Sequence, residues 1–215
     1  LFKRGSNGQY AEIAKLLPEE SQASARFGQT VAVADQVIAI GAPEQDVTVD
    51  GNSMGGVGSV FLLKADDSGN VTFTHEIQPP NPYNQAYQYF GNSISIDGNK
   101  LVVGGYKNSF NTSGNRKYAV GAAYLYLIQT DGTAQLAASI FSPNPRENGE
   151  FGHSVAIEGE RLIIAAPYED SDNGSQSGVV YVYKVTADGK VSLQERLIHP
   201  TGKANDQFGQ SIGLS

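Results

Sequence analysis

Two short stretches decide the fold of this protein: Phe151-Gly-His-Ser-Val-Ala-Ile157 and, after four intervening residues, Leu162-Ile-Ile-Ala-Ala-Pro167. In the first stretch apolar and small polar residues alternate, which is typical of a β-strand with one buried face. The second is a continuous apolar run that ends at a proline, which indicates a buried strand stopping at a turn. The polar residues 158–161 between them predict a tight turn, so the two strands form an antiparallel hairpin.

The Phe-Gly pair that opens this hairpin recurs along the whole chain, at intervals of 63, 61 and 57 residues. After each of the first three pairs the same order follows: an alternating strand, a short polar turn, an apolar strand, a long polar loop, and two further strands. The four pairs are Phe27-Gly28, Phe90-Gly91, Phe151-Gly152 and Phe208-Gly209.

Repeats of about 60 residues with four short strands each are the sequence form of a β-propeller blade. A four-stranded sheet cannot bury both of its faces alone, so such blades must stack around an axis. The sequence therefore predicts an all-β fold of β-propeller blades, each a four-stranded antiparallel meander. The repeated Phe and Gly residues are expected to be structural, with Phe filling the core and Gly allowing close backbone approach.

These motifs resemble the FG-GAP repeat of the integrin α-subunit propeller, and most closely its bacterial form. Phe-Gly stands near the first strand, and the second strand ends in Gly41-Ala42-Pro43 or Ala165-Ala166-Pro167. The middle repeat departs from the pattern with Gly105-Tyr106. The resemblance implies a ring of seven blades and a loop-rich face on which partners bind.

The calcium loops of integrins do not carry over to this sequence. Integrin-type loops place alternating Asp and Gly residues between the first and second strands, whereas the three links here span residues 34–36, 97–100 and 158–161. A calcium ion takes six to eight oxygen ligands, more than such short turns supply. The sequence predicts no cofactor, and calcium would have to bind outside these loops.

The repeats divide the chain into one propeller domain of about 3.75 blades, which is half of the implied ring. Residues 1–26 hold the third and fourth strands of a partial blade and a loop, residues 27–89, 90–150 and 151–207 form three blades, and residues 208–215 supply the first strand of the next. Open blade edges are normally covered or paired. We therefore expect the remaining blades to come from the same chain or from another copy.

Composition excludes several classes of function. The net charge of −7 argues against nucleic-acid binding, which needs clustered Lys and Arg. The absence of cysteine excludes disulfides and thiol chemistry. No apolar run approaches the roughly 18–20 residues that span a bilayer, so direct membrane insertion is not expected.

The binding surface is expected at the blade end that carries the long loops, because long loops on a rigid scaffold commonly hold functional residues. Tyrosines cluster in these loops, and they are suited either to stacking on sugar rings or packing on a protein partner. The alternative is that they fill gaps between blades and loops. The tyrosines are Tyr83, Tyr87, Tyr89, Tyr106, Tyr118 and Tyr168.

Acidic residues in the same loops offer a weak candidate metal site. It comprises Glu169, Asp170 and Asp172, with Glu44, Asp46 and Asp50 as additional oxygen donors. Their spacing matches no calcium loop, and the alternative is that they are simply solvated.

Three functions are compatible with these features. The first is an extracellular, cell-surface or periplasmic binding or adhesion module that contacts protein or glycan. The second is a structural component of a surface particle or filament. The third is a propeller-based enzyme, for which the dispersed His75, His153 and His199 provide no catalytic or metal-ligand spacing. We expect His153, which follows a Phe-Gly pair, to hydrogen-bond a neighbouring loop.

Overall fold

A computed structural model describes residues 1–18, 22–66, 68–80, 87–112, 115–117 and 119–215. All regular secondary structure in these residues is β-strand, which confirms the predicted all-β class. Within the described ranges there is no helix long and apolar enough to cross a membrane. The strands are β1 (Phe2–Arg4), β2 (Tyr10–Glu12), β3 (Thr30–Ala34), β4 (Val37–Ala42), β5 (Val47–Val49), β6 (Asn52–Met54), β7 (Ser59–Ala65), β8 (Val71–Ile77), β9 (Phe90–Asp97), β10 (Lys100–Gly105), β11 (Phe110–Thr112), β12 (Asn115–Lys117), β13 (Ala122–Ile128), β14 (Ala134–Phe141), β15 (Ser154–Glu158), β16 (Arg161–Ala166), β17 (Val179–Val185) and β18 (Val191–Leu197).

Twelve of these strands form three blades, each a four-stranded antiparallel meander. The orders are β3-β4-β7-β8, β9-β10-β13-β14 and β15-β16-β17-β18. In every blade the third and fourth strands shift register at the same point, after Leu62, Leu125 and Val182. The three predicted repeats are therefore three copies of one blade, down to a shared irregularity that bends the outer hairpin.

The first and second strands of each blade are joined by two-residue turns. Asp35, Gly98 and Gly159 occupy these turns with φ of 50°, 54° and 58°. Glycine and aspartate tolerate this left-handed conformation, and such turns match the twist of an antiparallel hairpin. The short links therefore hold the first and second strands in close register.

The blades stack through apolar layers. Leu62 of the first blade packs with Phe90, Leu101 and Tyr124 of the second in one buried cluster. A second cluster joins Leu125 of the second blade to residues of the third. Because β9 contacts both β3 and β15, the first strands lie side by side on the inner side of the stack. The fourth strands are largely exposed and form its outer side.

Phe-Gly pairs close the contact between successive blades. Phe90 and Phe151 are fully buried, and a side chain at Gly121 would overlap the carbonyl oxygen of Phe151. Hydroxyl groups reinforce the contact, since Thr30 Oγ1 donates to the carbonyl of Gly91 at 2.6 Å and Ser93 Oγ to that of Gly152 at 2.8 Å. The recurring Phe-Gly pairs and the hydroxyl groups near them therefore determine how each blade packs against the next.

Two regions differ from the sequence prediction. The long loops after the second strands contain extra hairpins, β5-β6 in the first blade and β11-β12 in the second. Residues 208–215, predicted as the first strand of a further blade, contain no assigned strand. Phe208, Ile212 and Leu214 instead pack on the apolar face of the third blade.

Candidate functional site

The two sets of long connections meet at one end of the blades, which we call the loop face. The loop between the second and third strands of one blade hydrogen-bonds the segment that precedes the Phe-Gly pair of the next. In the first blade the amides of Tyr87 and Tyr89 donate to the carbonyl oxygens of Gly55 and Gly56 at 2.9 and 3.3 Å. Equivalent bonds join the second blade to the third, where the Glu150 amide donates to Ala119. The loop face is therefore held together by backbone bonds between blades.

Five rings follow one another across this face, and we call them the aromatic ridge. The ring centroids are separated by 6.4, 5.4, 5.5 and 6.3 Å along the series. The series crosses from the segment before the second blade to the third blade. Its members are Tyr87, Tyr89, Tyr106, His153 and Tyr168.

Local backbone geometry places the first two tyrosines. Tyr87 and Tyr89 have φ of 60° and 55°, and the same pair of left-handed residues precedes the other Phe-Gly motifs, as at Asn148 and Glu150. This conformation costs a bulky residue roughly 1–3 kcal/mol unless its surroundings fix it. The backbone bonds to Gly55 and Gly56 fix it here, so the ridge begins on a strained but hydrogen-bonded segment.

The other rings come from the ends of strands. Tyr106 directly follows β10, at the position where the other blades have proline, and Tyr168 follows Pro167 after β16. His153 stands between Gly152 and β15. The departure from the Gly-Ala-Pro pattern in the middle repeat therefore supplies the central ring of the ridge.

Charged groups lie on and beside these rings. Lys107 Nζ is 5.0 Å from the ring centroid of Tyr89 and 5.6 Å from that of Tyr106. His153 Nδ1 is 3.1 Å from Glu150 Oε2. Burial, followed by the negative charge of Glu150, raises the pKa of Tyr106 to about 12. The Tyr106 hydroxyl is therefore protonated at neutral pH and is available as a hydrogen-bond donor.

The structure brings together four of the six tyrosines predicted to bind: Tyr87, Tyr89, Tyr106 and Tyr168. Tyr83 and Tyr118 lie outside the described residues. Tyr87 is 62% exposed and the other three are half-buried, so the rings both contact one another and present surface. The four tyrosine side chains thus pack against neighbouring rings and also expose part of their surface to solvent.

Lys107 was missed by the sequence reasoning, and His153 has a different partner from the one expected. Lys107 follows Tyr106 at the position that Glu44 and Tyr168 hold in the other blades, which is the one signal in the sequence that marked it. His153 bonds Glu150 of its own segment and contacts the neighbouring blade through the Tyr106 ring. The contacts of Lys107 with Tyr89 and of His153 with Tyr106 depend on the packing of segments that are distant in sequence.

The acidic residues of the third blade do not converge. Glu169 is buried and accepts hydrogen bonds from Ser142 Oγ, at 2.8 Å, and from the Tyr181 hydroxyl. Burial raises the pKa of Glu169. A side chain engaged in this way is turned away from the loop surface where the weak metal site was predicted.

The other two members of that predicted site point elsewhere. Asp170 accepts from the Gln176 amide and pairs with Arg146, which lowers the pKa of Asp170, and Asp172 is exposed. In the first blade Asp46 accepts from the Gly56 amide at 2.9 Å and Glu44 pairs with Arg26 at 3.1 Å. Among the described residues no three His, Cys, Asp or Glu side chains are grouped to hold a metal ion.

Comparison with known proteins agrees with this architecture. The family model for the FG-GAP repeat matches residues 10–63, 84–126 and 135–183. No curated protein matches the chain. The similar solved structures include a hypothetical selenium-binding protein from Sulfolobus tokodaii, at 12% identity and a TM-score of 0.51, where the match covers 92% of this chain and 46% of that one.

A second solved structure, Sqt1 from Chaetomium thermophilum, is 15% identical with a TM-score of 0.45, and the match covers 83% of this chain and 39% of that one. The chain thus spans less than half the length of both structures. At 12% identity, the likeness to the Sulfolobus tokodaii structure shows the fold alone.

Proposed function

The chain belongs to the FG-GAP repeat family, and from that premise we propose that it is a binding module that contacts a protein or glycan ligand through its aromatic ridge. The module would act outside the cytoplasm, at the cell surface, in the extracellular space or in the periplasm, and without catalysing a reaction. The observation that carries this proposal is the convergence of four loop tyrosines, from the second blade, the third blade and the segment before the second blade, into one row that His153 makes continuous.

The row has the properties of a recognition surface. Tyrosine combines a large apolar ring with a hydroxyl that donates or accepts, and it loses little conformational entropy on binding. The ridge is already ordered by backbone bonds and ring contacts, so a ligand need not order it. Its rings lie on loops carried by three rigid sheets, which is the usual placement of binding residues.

A glycan and protein array probed with the 215-residue chain tests this proposal. We expect binding to be lost in the double variant Tyr87→Ala, Tyr89→Ala, because these rings form one end of the ridge. The matched control is Tyr10→Ala, which removes a tyrosine that is 69% exposed on the β1-β2 hairpin, away from the ridge. Unchanged binding by the double variant, or equal loss in the control, contradicts the ridge as the binding surface.

A second candidate function is assembly, favoured by the open edge of the first blade. Val31 and Val33 on β3 are each 57% exposed, although the equivalent residues of the third blade, Val155 and Ile157, are buried. A cleft of about 700 Å³ lies between this face and the β1-β2 hairpin. We propose that another blade of the same repeat type packs into this cleft, because a blade occupies the equivalent face of the second and third blades.

Sedimentation analysis tests the assembly proposal if the blade comes from another copy of the chain. We expect self-association that increases with concentration and is abolished by Val31→Lys with Val33→Lys. A double variant with the same charge change on the exposed surface of β18, Leu193→Lys with Gln194→Lys, should leave association intact. A monomeric wild-type chain at all concentrations would contradict assembly from separate copies.

A further inference from the structure

The charge on the aromatic ridge narrows the class of ligand. Lys107 forms no ion pair with any carboxylate of the described residues, and its ammonium lies against the rings of Tyr89 and Tyr106. Of the two acidic side chains that act on Tyr106, Glu44 pairs with Arg26 and Glu150 lies against His153. Contact with a ring quadrupole attracts a cation without neutralising it. Lys107 is therefore a cation on the ridge that no carboxylate of the described residues pairs, within a protein of net charge −7.

The rings beside this charge form a narrow platform. Lys107 Nζ lies over Tyr89 and Tyr106, and the row of rings continues from Tyr89 to Tyr87 and from Tyr106 to His153 and Tyr168. Successive ring centroids are 5.4–6.4 Å apart, so a chain of linked sugar rings can contact several of these side chains at once. The apolar face of a pyranose packs on an aromatic ring, while the tyrosine hydroxyls reach its hydroxyl groups.

An acidic peptide and a single-stranded nucleic acid are both anionic polymers, but neither fits the contacts of the ridge well. An extended acidic peptide binds strongly where backbone groups are free to pair, but the amides of Tyr87 and Tyr89 already donate to Gly55 and Gly56. Single-stranded nucleic acid also stacks on aromatic rings, but it needs a groove of several cations that follows the phosphates. The ridge has one lysine.

We infer that the aromatic ridge binds an acidic polysaccharide, with sugar rings on the tyrosines and a uronate carboxylate against Lys107. This inference rests on the proposed function of the ridge and names its ligand class. A carboxylate on Lys107 Nζ forms a charge-assisted hydrogen bond, the strong kind in proteins. The tyrosine platform then selects a carboxylate that is carried on a sugar ring.

Affinity electrophoresis of the 215-residue chain tests the inference with three polymers: polygalacturonate, neutral dextran and poly-L-glutamate. We expect retardation by polygalacturonate alone. Lys107→Gln should weaken this binding about tenfold, the value of one charge-assisted hydrogen bond, and Lys107→Arg should retain most of it. The matched control is Lys190→Gln, which removes the same charge from the turn between β17 and β18 at the opposite end of the blades.

Three results would overturn the inference: no retardation by polygalacturonate, equal retardation by poly-L-glutamate, or equal weakening in Lys107→Gln and Lys190→Gln. Its failure is distinguishable from failure of the proposed function. Array binding to a protein or a neutral glycan that depends on Tyr87 and Tyr89 would refute the acidic polysaccharide and leave the ridge as the binding surface. Unfolding temperatures matching wild type would show that each variant is folded.

Discussion

The Phe-Gly pairs of the third and first blades share a sequence but lie in different surroundings. Phe151 is fully buried between two blades, against Tyr181, and its amide donates to the Val120 carbonyl at 2.9 Å. Phe27 stands at the open edge, half-buried, with its ring 5.4 Å from Phe61 of its own blade. The motif therefore provides two sets of interactions, one within its own blade and one with the preceding blade.

The glycines of the two motifs also differ in their surroundings. A Cβ atom added at Gly152 would overlap backbone atoms of the second blade, whereas a Cβ added at Gly28 would meet no atom within 4 Å. Both have nearly the same φ, 86° and 85°. Backbone conformation is thus a property of the repeat itself, and crowding is a property of the contact between blades. Substitutions at matched positions can measure the two separately.

The largest difference is expected for phenylalanine truncation. Phe151→Ala should lower the free energy of unfolding by about 3–5 kcal/mol, since it opens a cavity in a fully buried layer. Phe27→Ala should cost about 1–2 kcal/mol, because the half-buried ring loses less apolar contact. Urea unfolding followed by circular dichroism measures both. Equal losses would mean that the open edge is covered in solution, which favours the assembly proposal.

A smaller difference is expected at the glycines of these motifs. Gly152→Ala places a Cβ 2.2 Å from the Ala122 carbonyl oxygen and also strains a φ of 86°, so we expect a loss of about 2–5 kcal/mol. Gly28→Ala has nearly the same φ and an open surrounding, so strain alone should cost about 1–2 kcal/mol. The same urea titration compares them. A Gly28→Ala loss as large as that of Gly152→Ala would place a neighbour at the open edge.

The sequence was sufficient to predict the blades because their pattern is repeated. The two further strands predicted after the long loop of each repeat are present as β7 and β8, β13 and β14, and β17 and β18. The β5-β6 hairpin was missed because it lies within a long loop whose sequence differs between the repeats. Its signal was present as Asp50-Gly51 between residues that alternate in burial, which is a common turn sequence in hairpins.

The candidate site was predictable only in part. The loop tyrosines were visible as residue types, but their row depends on how three blades stack, which no local pattern encodes. Lys107 acquires its importance from two rings on different segments, and Glu169 is removed from the loop surface by Tyr181 and Ser142. In each case one partner, Tyr89 for Lys107 and Ser142 for Glu169, comes from a different segment of the chain. Contacts between repeats therefore define the site, whereas contacts within repeats define the fold.

The smallest expected effect concerns one such contact, between the second and third blades. Glu169 of the third blade and Gln45 of the first blade hold equivalent positions, since the carbonyl of each accepts the amide of the glycine before the third strand, from Gly178 at 3.0 Å and from Gly58 at 2.9 Å. Tyr181 beside Glu169 corresponds to Phe61, which has no hydroxyl. The substitution Glu169→Gln therefore gives the third blade the residue type of the open-edge blade.

Burial raises the pKa of Glu169. The Glu169 carboxyl group therefore binds its proton more strongly in the folded protein than in the unfolded chain. The stability that Glu169 contributes is present below its ordinary pKa and decreases as the pH rises through the raised value. We expect Glu169→Gln to be less stable than wild type by about 1 kcal/mol near pH ~4, with the gap narrowing or reversing by pH ~7. Urea midpoints at the two pH values measure this, and Glu195→Gln on the exposed strand β18 controls for net charge. A gap that widens with pH would show that Tyr181 and Ser142 stabilise the ionised carboxylate more than burial penalises it.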